Sequence, residues 1–269
     1  MTADLPNYEV LALRYATMQN RTAGDNFMFP DDHAAPMPID YYVWAIRGNG
    51  RTIVVDTGFG PKAATARGRK LLRSPVEALA SVGIEAATVT DVVLTHLHYD
   101  HAGCLDAFPA ARFHLQDAEM SFATGRCMCH AVLRAPMELD DVLQAVREVY
   151  AGRVVFHDGT ANLAPGISLH LVGGHSGGLQ IVRVKTARGF VVLASDAAHF
   201  WANIHKRQPF PLVVNVFRMA EGWRICEELA DGPDHIIPGH DPLVLQRFPT
   251  VDGNPEAVRI DLAPVLREG

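Results

Sequence analysis

What this chain of 269 residues lacks narrows its class before any motif is considered. It has four cysteines, Cys104, Cys127, Cys129 and Cys226, too few and too unevenly spaced for a disulfide framework, so a reducing compartment is expected. No apolar run approaches the length that crosses a bilayer, which argues against a membrane protein. The opening MTADLPNYEV has no basic stretch followed by an apolar one, so no secretory leader is expected and a cytoplasmic location is the default. Positive charge is concentrated nowhere. Against 30 acidic residues stand 24 Lys and Arg, a formal net charge of −6, and nucleic acid is therefore not the expected partner. The short basic stretches Ala66–Lys70 and His205–Arg207 read as solvated faces. Internal repeats, low-complexity tracts and Pro/Gly/Ser-rich linkers are also missing, and one domain over residues 1–269 is expected.

What is present is a series of strand and helix signatures. Tyr41–Arg47 and Thr52–Val55 read as strands joined by a Gly-Asn-Gly turn. Ser74, Pro75, Glu77 and Gly83 form a helix signature with an N-cap, a proline at the first helical position, a capping box and a terminating glycine. DVVLTH and Ala111–Leu115 read as short strands, while Gln116–Thr124 and Glu138–Tyr150 read as helices. RVVF, ISLHLV, LQIVRVKT and FVVLASD supply four more strands. Val213–Leu229 reads as an amphipathic helix, and DHIIPGHDP as a last short strand and loop. Interleaved strands and helices predict an α/β (α+β) fold of two packed sheets with helices outside. Residues 17–40 form a long Met- and Phe-rich segment of the kind that often serves function.

The densest chemistry lies in TVTDVVLTHLHYDHAGCLDAF, where His96, His98, Asp100 and His101 follow a buried-looking strand. Alternation along a strand sends His96 and His98 to one side and Leu97 to the other. Asp100 and His101 can turn inward as the strand runs out. Neutral imidazoles and carboxylates are ligands that zinc and its first-row neighbours accept. A solvated His-rich turn would not explain why an apolar strand leads into it. Three more metal-binding residue types stand at strand ends before tight turns: His175 in LVGGHSGG, Asp196 in VVLASDAAH and His240 in IIPGHDP.

This set, together with Asp56-Thr57-Gly58, resembles the metallo-β-lactamase superfamily, and within it the N-acyl-homoserine lactonase-like group. The resemblance implies an αββα four-layer sandwich, two mixed sheets flanked by helices, with two divalent metal ions, zinc above all, at one edge. It implies that His96, His98 and His175 hold the first ion and that Asp100, His101 and His240 hold the second, with Asp196 bridging. Asp56 would orient a ligand histidine. The implied activity is opening of a lactone ring, an N-acyl-homoserine lactone or a related one, by a metal-bridging hydroxide, with Asp100 carrying the proton to the leaving group. Thioester hydrolysis of the glyoxalase II type, or action on an aromatic-derived lactone, are the alternatives.

The sequence departs from that group where quorum-quenching lactonases carry a tyrosine three residues after the bridging aspartate. Here the position is His199, expected to act as a donor or acid toward the substrate. The segment 17–40, with Met18, Phe27, Met28 and Phe29, could cover an acyl chain, a sheet edge or the interface of a homodimer. Cys127 and Cys129 read as a patch of buried thiols beside a helix rather than as metal ligands. His33, His114, His157, His170, His205 and His235 read as structural or surface residues.

Overall fold

The computed structural model describes residues 5–265. β-Branched and aromatic runs build fourteen strands among the described residues, in two sheets. The larger contains β1 (Glu9–Met18), β2 (Ile39–Gly48), β3 (Arg51–Val55), β4 (Lys70–Leu71), β5 (Asp91–Val93), β6 (Arg112–Gln116), β7 (Val154–His157), β13 (Thr250–Val251) and β14 (Asn254–Arg259). Its order is β13-β14-β1-β2-β3-β5-β6-β7, with β4 attached to β1. The smaller contains β8 (Ala161–Ala164), β9 (Ile167–Leu171), β10 (Gln180–Thr186), β11 (Gly189–Ser195) and β12 (Ile236–Pro238), in the order β12-β11-β10-β9-β8.

The period of two sorts side chains into separate layers. Val10, Ala12, Trp44, Ile53, Val55 and Val93 of the larger sheet pack with Leu169, Val182, Val191, Leu193 and Ile237 of the smaller. The opposite face of the larger sheet, including Leu11, Leu13, Val43 and Val54, packs on helices Pro75–Ala80 and Leu139–Tyr150. The outer face of the smaller sheet packs on Met219, Trp223 and Cys226 of helix Val216–Leu229. Helix, sheet, sheet and helix are thus stacked as the sequence implied.

Local signals held where they were strong. Asn49 and Gly50 both have positive φ between paired Gly48 and Arg51, the two-residue turn that suits strand twist. Ser74 and Glu77 form the reciprocal capping box. The helix expected from Val213 begins at Val216, where the Asn215 side chain accepts from the Arg218 amide. β1 and β14 carry no strong strand signal in the sequence. β1 lies between β14 and β2 and is almost continuously buried, so it lacks the alternation that marks a half-exposed strand. β14 opens with Asn-Pro-Glu, residues depleted in strands.

Trp44 anchors the space between the sheets, yet its indole nitrogen has no hydrogen-bond partner. Trp44→Ala is expected to lower unfolding free energy by about 3–5 kcal/mol through cavity formation. Trp44→Phe, which also removes an unsatisfied buried donor, is expected to cost less than about 1.5 kcal/mol. Urea midpoints of the two variants check this; a loss in Trp44→Phe as large as that in Trp44→Ala would contradict it.

Candidate metal centre

β3, β5 and β6 run parallel, as do β11 and β12, and their carboxyl ends meet at one edge of the two sheets. Asp56 follows β3, His96 and His98 lie beyond β5, His175 beyond β9, Asp196 beyond β11 and His240 beyond β12. The sheets are tied together there by Ser195 Oγ donating to Thr95 Oγ1 at 2.9 Å and by the Gln180 amide donating to the Thr95 carbonyl at 2.9 Å. Asp56 and Ser195 adopt positive φ, 64° and 45°, a conformation that non-glycine residues keep only where the surroundings enforce it.

The structure brings together all seven residues expected to be ligands. Donor atoms of His96, His98 and His175 lie within 4.8 Å of one another, and so do those of Asp100, His101 and His240. His96, His101 and Asp196 form a further such group, which links the first two. Six of the seven are buried, and Asp100 is partly open to the cavity.

Hydrogen bonds on the far side of four of the five rings, those of His96, His101, His175 and His240, fix which nitrogen points inward. His175 Nδ1 lies 2.8 Å from the Leu212 carbonyl and His240 Nδ1 lies 2.8 Å from the Asp40 carbonyl. Carbonyls only accept, so both Nδ1 atoms carry protons. His101 Nδ1 donates to Asp56 Oδ2 at 2.7 Å, and Thr95 Oγ1, itself donating to Asp56, is 3.1 Å from His96 Nδ1. In the neutral form of these four rings Nε2 is then left with the lone pair. His175 Nε2 faces Asp196 Oδ2 at 3.1 Å, and His240 Nε2 faces Asp196 Oδ1 at 3.2 Å. His96 Nε2, His101 Nε2, His175 Nε2 and Asp196 Oδ1 are buried without a hydrogen-bond partner. Acceptors facing acceptors in a buried site call for cations between them, and this donor set fits divalent metal ions.

Electrostatics point the same way. Burial, reinforced by the neighbouring imidazoles, holds His96 and His98 well below the ordinary histidine value, in the neutral form that ligates. Burial also acts to neutralise His101 and His240, but the surrounding carboxylates outweigh it and raise both. Burial opposes ionisation of Asp196, yet His240, His101, His199 and His175 hold it well below the usual carboxylate range.

Behind the ligands lies a layer that the sequence did not reveal. The buried carboxylate of Glu119, on helix Asp117–Thr124, accepts from the Leu97 amide at 2.9 Å, Ser176 Oγ at 2.8 Å and the Gly178 amide at 2.7 Å. It thereby clamps the His96–His98 segment to the His175 loop. A Cβ on Gly178 would sit 2.1 Å from the Glu119 nitrogen, so the close approach requires glycine. A Cβ on Gly239 would sit 2.6 Å from Asp196 Oδ1, which explains the glycine before His240.

His199 stacks on Phe210 with ring centroids 3.6 Å apart, and its Nε2 lies 3.0 Å from Asp196 Oδ2. Burial pushes it down to about 3, against the pull of Asp196, so at neutral pH it is a neutral imidazole directed at Asp196. In that form Nε2–H can donate to Asp196 Oδ2. His199 also faces a cavity of about 360 Å³ that opens beside His98, Asp100, Asp196 and His240.

Segment 17–40 reaches this cavity through residues other than Met18, Phe27, Met28 and Phe29. Met18 ends β1, Phe27 is buried against Phe200, and Phe29 is exposed. The residues it presents to the cavity are Arg21, Asp25 and Ile39. Arg67 and Arg69, read from sequence as a solvated face, line it too. Cys127 is half-buried and Cys129 exposed, a correction to the buried patch expected. They belong to none of the candidate metal groups found among the described residues. His114, buried between Asp91 and His157, is structural as expected.

Comparison with known proteins agrees with this geometry. A model of the metallo-beta-lactamase superfamily matches residues 38–240, most of the chain, and the chain belongs to that superfamily. It is 29% identical over 195 residues to the N-acyl homoserine lactonase AiiB of Agrobacterium fabrum, a match covering 62% of this chain and 65% of that relative's length. Among solved structures it resembles an N-acyl homoserine lactone hydrolase with the product N-hexanoyl-L-homoserine at its catalytic metal centre. That likeness has a TM-score of 0.73 at 20% identity, covering 90% of this chain and 96% of that one. It also resembles AidC, a dizinc quorum-quenching lactonase, with a TM-score of 0.67 at 16% identity over 89% of both chains.

Two outcomes follow from the site. Asp56→Asn keeps the shape behind His101 but removes the charge, and is expected to weaken metal binding about 10–100-fold in competition with a chelator; undiminished affinity would contradict the orienting role. His101 and His240, raised above the ordinary histidine value in the metal-free chain, are expected to lose protons to solvent when metal binds near pH 7. Calorimetry in buffers of different ionisation enthalpy reads that release, and buffer-independent heats would count against it.

Proposed function

We propose that this chain is a dinuclear metal-dependent hydrolase that opens lactone rings, acting as one hydrolase domain. His96, His98 and His175 would hold one divalent cation and Asp100, His101 and His240 the other, with Asp196 between them and zinc the ion expected. The single observation that carries the reading is the set of inward-facing, partnerless Nε2 atoms around Asp196 at the floor of an open cavity. The relatives named above as lactonases, and a fold neighbour described as dizinc, support it.

When bound, two divalent ions supply Lewis acidity toward a carbonyl oxygen and toward water. The chain's own residues do the rest. Asp56, Thr95 and the Asp40 and Leu212 carbonyls hold the imidazoles in the tautomer that turns Nε2 inward. Asp100 Oδ2, 3.7 Å from His240 Nε2 and 3.8 Å from His101 Nε2, faces the cavity. From there it can take a proton from the attacking water and return it to the departing ring oxygen. Ile39, Phe210 and Leu212 give the cavity an apolar wall that limits water around the ester.

A pH-indicator assay of metal-loaded protein on lactones, thioesters and β-lactams tests the reading. Lactone opening is expected to dominate, to vanish on chelation and to return with added zinc. His98→Ala and Asp196→Ala are expected to lower kcat/KM by at least about 10³-fold, or roughly 4 kcal/mol of transition-state stabilisation. Full activity in rigorously metal-free protein would overturn the proposal.

A further inference from the structure

The cavity above the metal centre is walled by three arginines, and their partners differ. Arg67 is committed: it pairs with Glu138 at 2.7 Å, donates to the Ala135 and Met137 carbonyls, and stacks on the Tyr99 ring at 4.1 Å. Arg21 donates to Asn26 Oδ1 and to the Asp25 carbonyl, and the carboxylate of Asp25 shares the same wall. Arg69 has no ion pair among the described residues; burial disfavours its charge, and only Tyr41, Tyr99 and the more distant Asp100 offset that. It is half-buried in the turn after helix Pro61–Ala66, and its guanidinium donates to Tyr99 Oη at 3.0 Å, Met18 Sδ at 2.9 Å and the Arg67 carbonyl at 2.6 Å. None of these partners is charged, and a thioether is a poor acceptor. Its Nη2 makes no hydrogen bond among the described residues. Of the remaining acids on the cavity, Asp100 acts on Arg69 only at a distance, and both it and Asp196 turn toward the imidazoles.

A partly desolvated guanidinium with a spare N–H and a weakly held neighbour is costly unless something anionic meets it. Its planar fork matches a carboxylate in two parallel hydrogen bonds. Arg67 alone of the three is ion-paired, and Asp25 lies on the wall beside Arg21, so Arg69 is the arginine left to meet a single carboxylate. Between that charge and the metal centre runs the apolar wall of Ile39, Phe210 and Leu212.

Resting on the lactone-opening reading, we propose that the natural substrate carries a carboxylate at the far end of its substituent and that Arg69 binds it. The site is then built for an acidic side arm, where an unfunctionalised acyl chain would leave the guanidinium unpaired. Tyr99, which accepts from Arg69 and lies 3.5 Å from Tyr41 Oη, positions the guanidinium at the cavity wall.

The test compares two lactones of one ring and one chain length, N-hexanoyl- and N-adipoyl-homoserine lactone, which differ in a terminal methyl against a terminal carboxylate. The wild-type chain is expected to favour the adipoyl compound. In Arg69→Met the ratio of the two kcat/KM values should fall at least about tenfold, chiefly through KM for the adipoyl lactone, and Arg69→Lys should restore part of it. Added salt should shrink the wild-type preference. An unchanged ratio in Arg69→Met would overturn the proposal and leave Arg69 as a prop for Tyr99.

Binding separates this idea from the reading beneath it. Calorimetric titration of the metal-loaded protein with glutarate and with butyrate requires no ring opening. A margin for the dicarboxylate that disappears in Arg69→Met supports the anion site even if neither lactone is opened. Equal affinities in the wild type would sink it while leaving lactone opening intact.

Discussion

Asp196 faces His175 Nε2 and His240 Nε2 at 3.1 and 3.2 Å with nothing but a proton or a metal ion able to lie between, and the rest of the edge is arranged around that confrontation. Imidazoles whose outer nitrogens are bonded to carbonyls have only an acceptor left to turn inward. A carboxylate among them is a repulsive arrangement unless protons or metal ions intervene. The protein supplies the restraint that keeps these groups together: Ser195 and Asp56 at positive φ, Gly239 pressed against Asp196, and Glu119 gripping two loops at once.

Holding such a cluster in place depends on the layers beneath it. The layer between the sheets is apolar throughout, with Trp44, Val55, Val93, Val184 and Leu193 buried within it. Two further apolar layers cover the outer faces. Polar groups are concentrated at the carboxyl ends of the strands, where the backbone leaves the sheets and side chains from both can reach one point. Strand ends of two sheets converging give the site more donors than either sheet alone could offer.

How much of this was legible in the sequence depended on whether the signal was local. His96, His98, Asp100 and His101 crowd six positions, and His175, Asp196 and His240 each close an apolar run, so period and residue type exposed them. Asp56 was visible because a carboxylate ends a buried strand. Glu119 was not: it sits in a helix whose composition is ordinary, and its role depends on Leu97, Ser176 and Gly178 from distant segments. A carboxylate on the face of a helix that follows directly on a strand is the only hint the sequence held. Arg69 was hidden for the opposite reason, since a short basic run is usually a solvated face. β1 escaped because burial on both sides erases alternation.

The proposed occupancy is two cations among these buried donors, with Asp196 between them. Anomalous diffraction from crystals of the zinc-loaded protein, recorded on both sides of the zinc edge, tests it most directly. The account predicts two peaks, one within ligand distance of His96, His98 and His175 and the other of Asp100, His101 and His240, each touching Asp196. A single peak, or zinc bound at Cys127 and Cys129 with this edge empty, would contradict it.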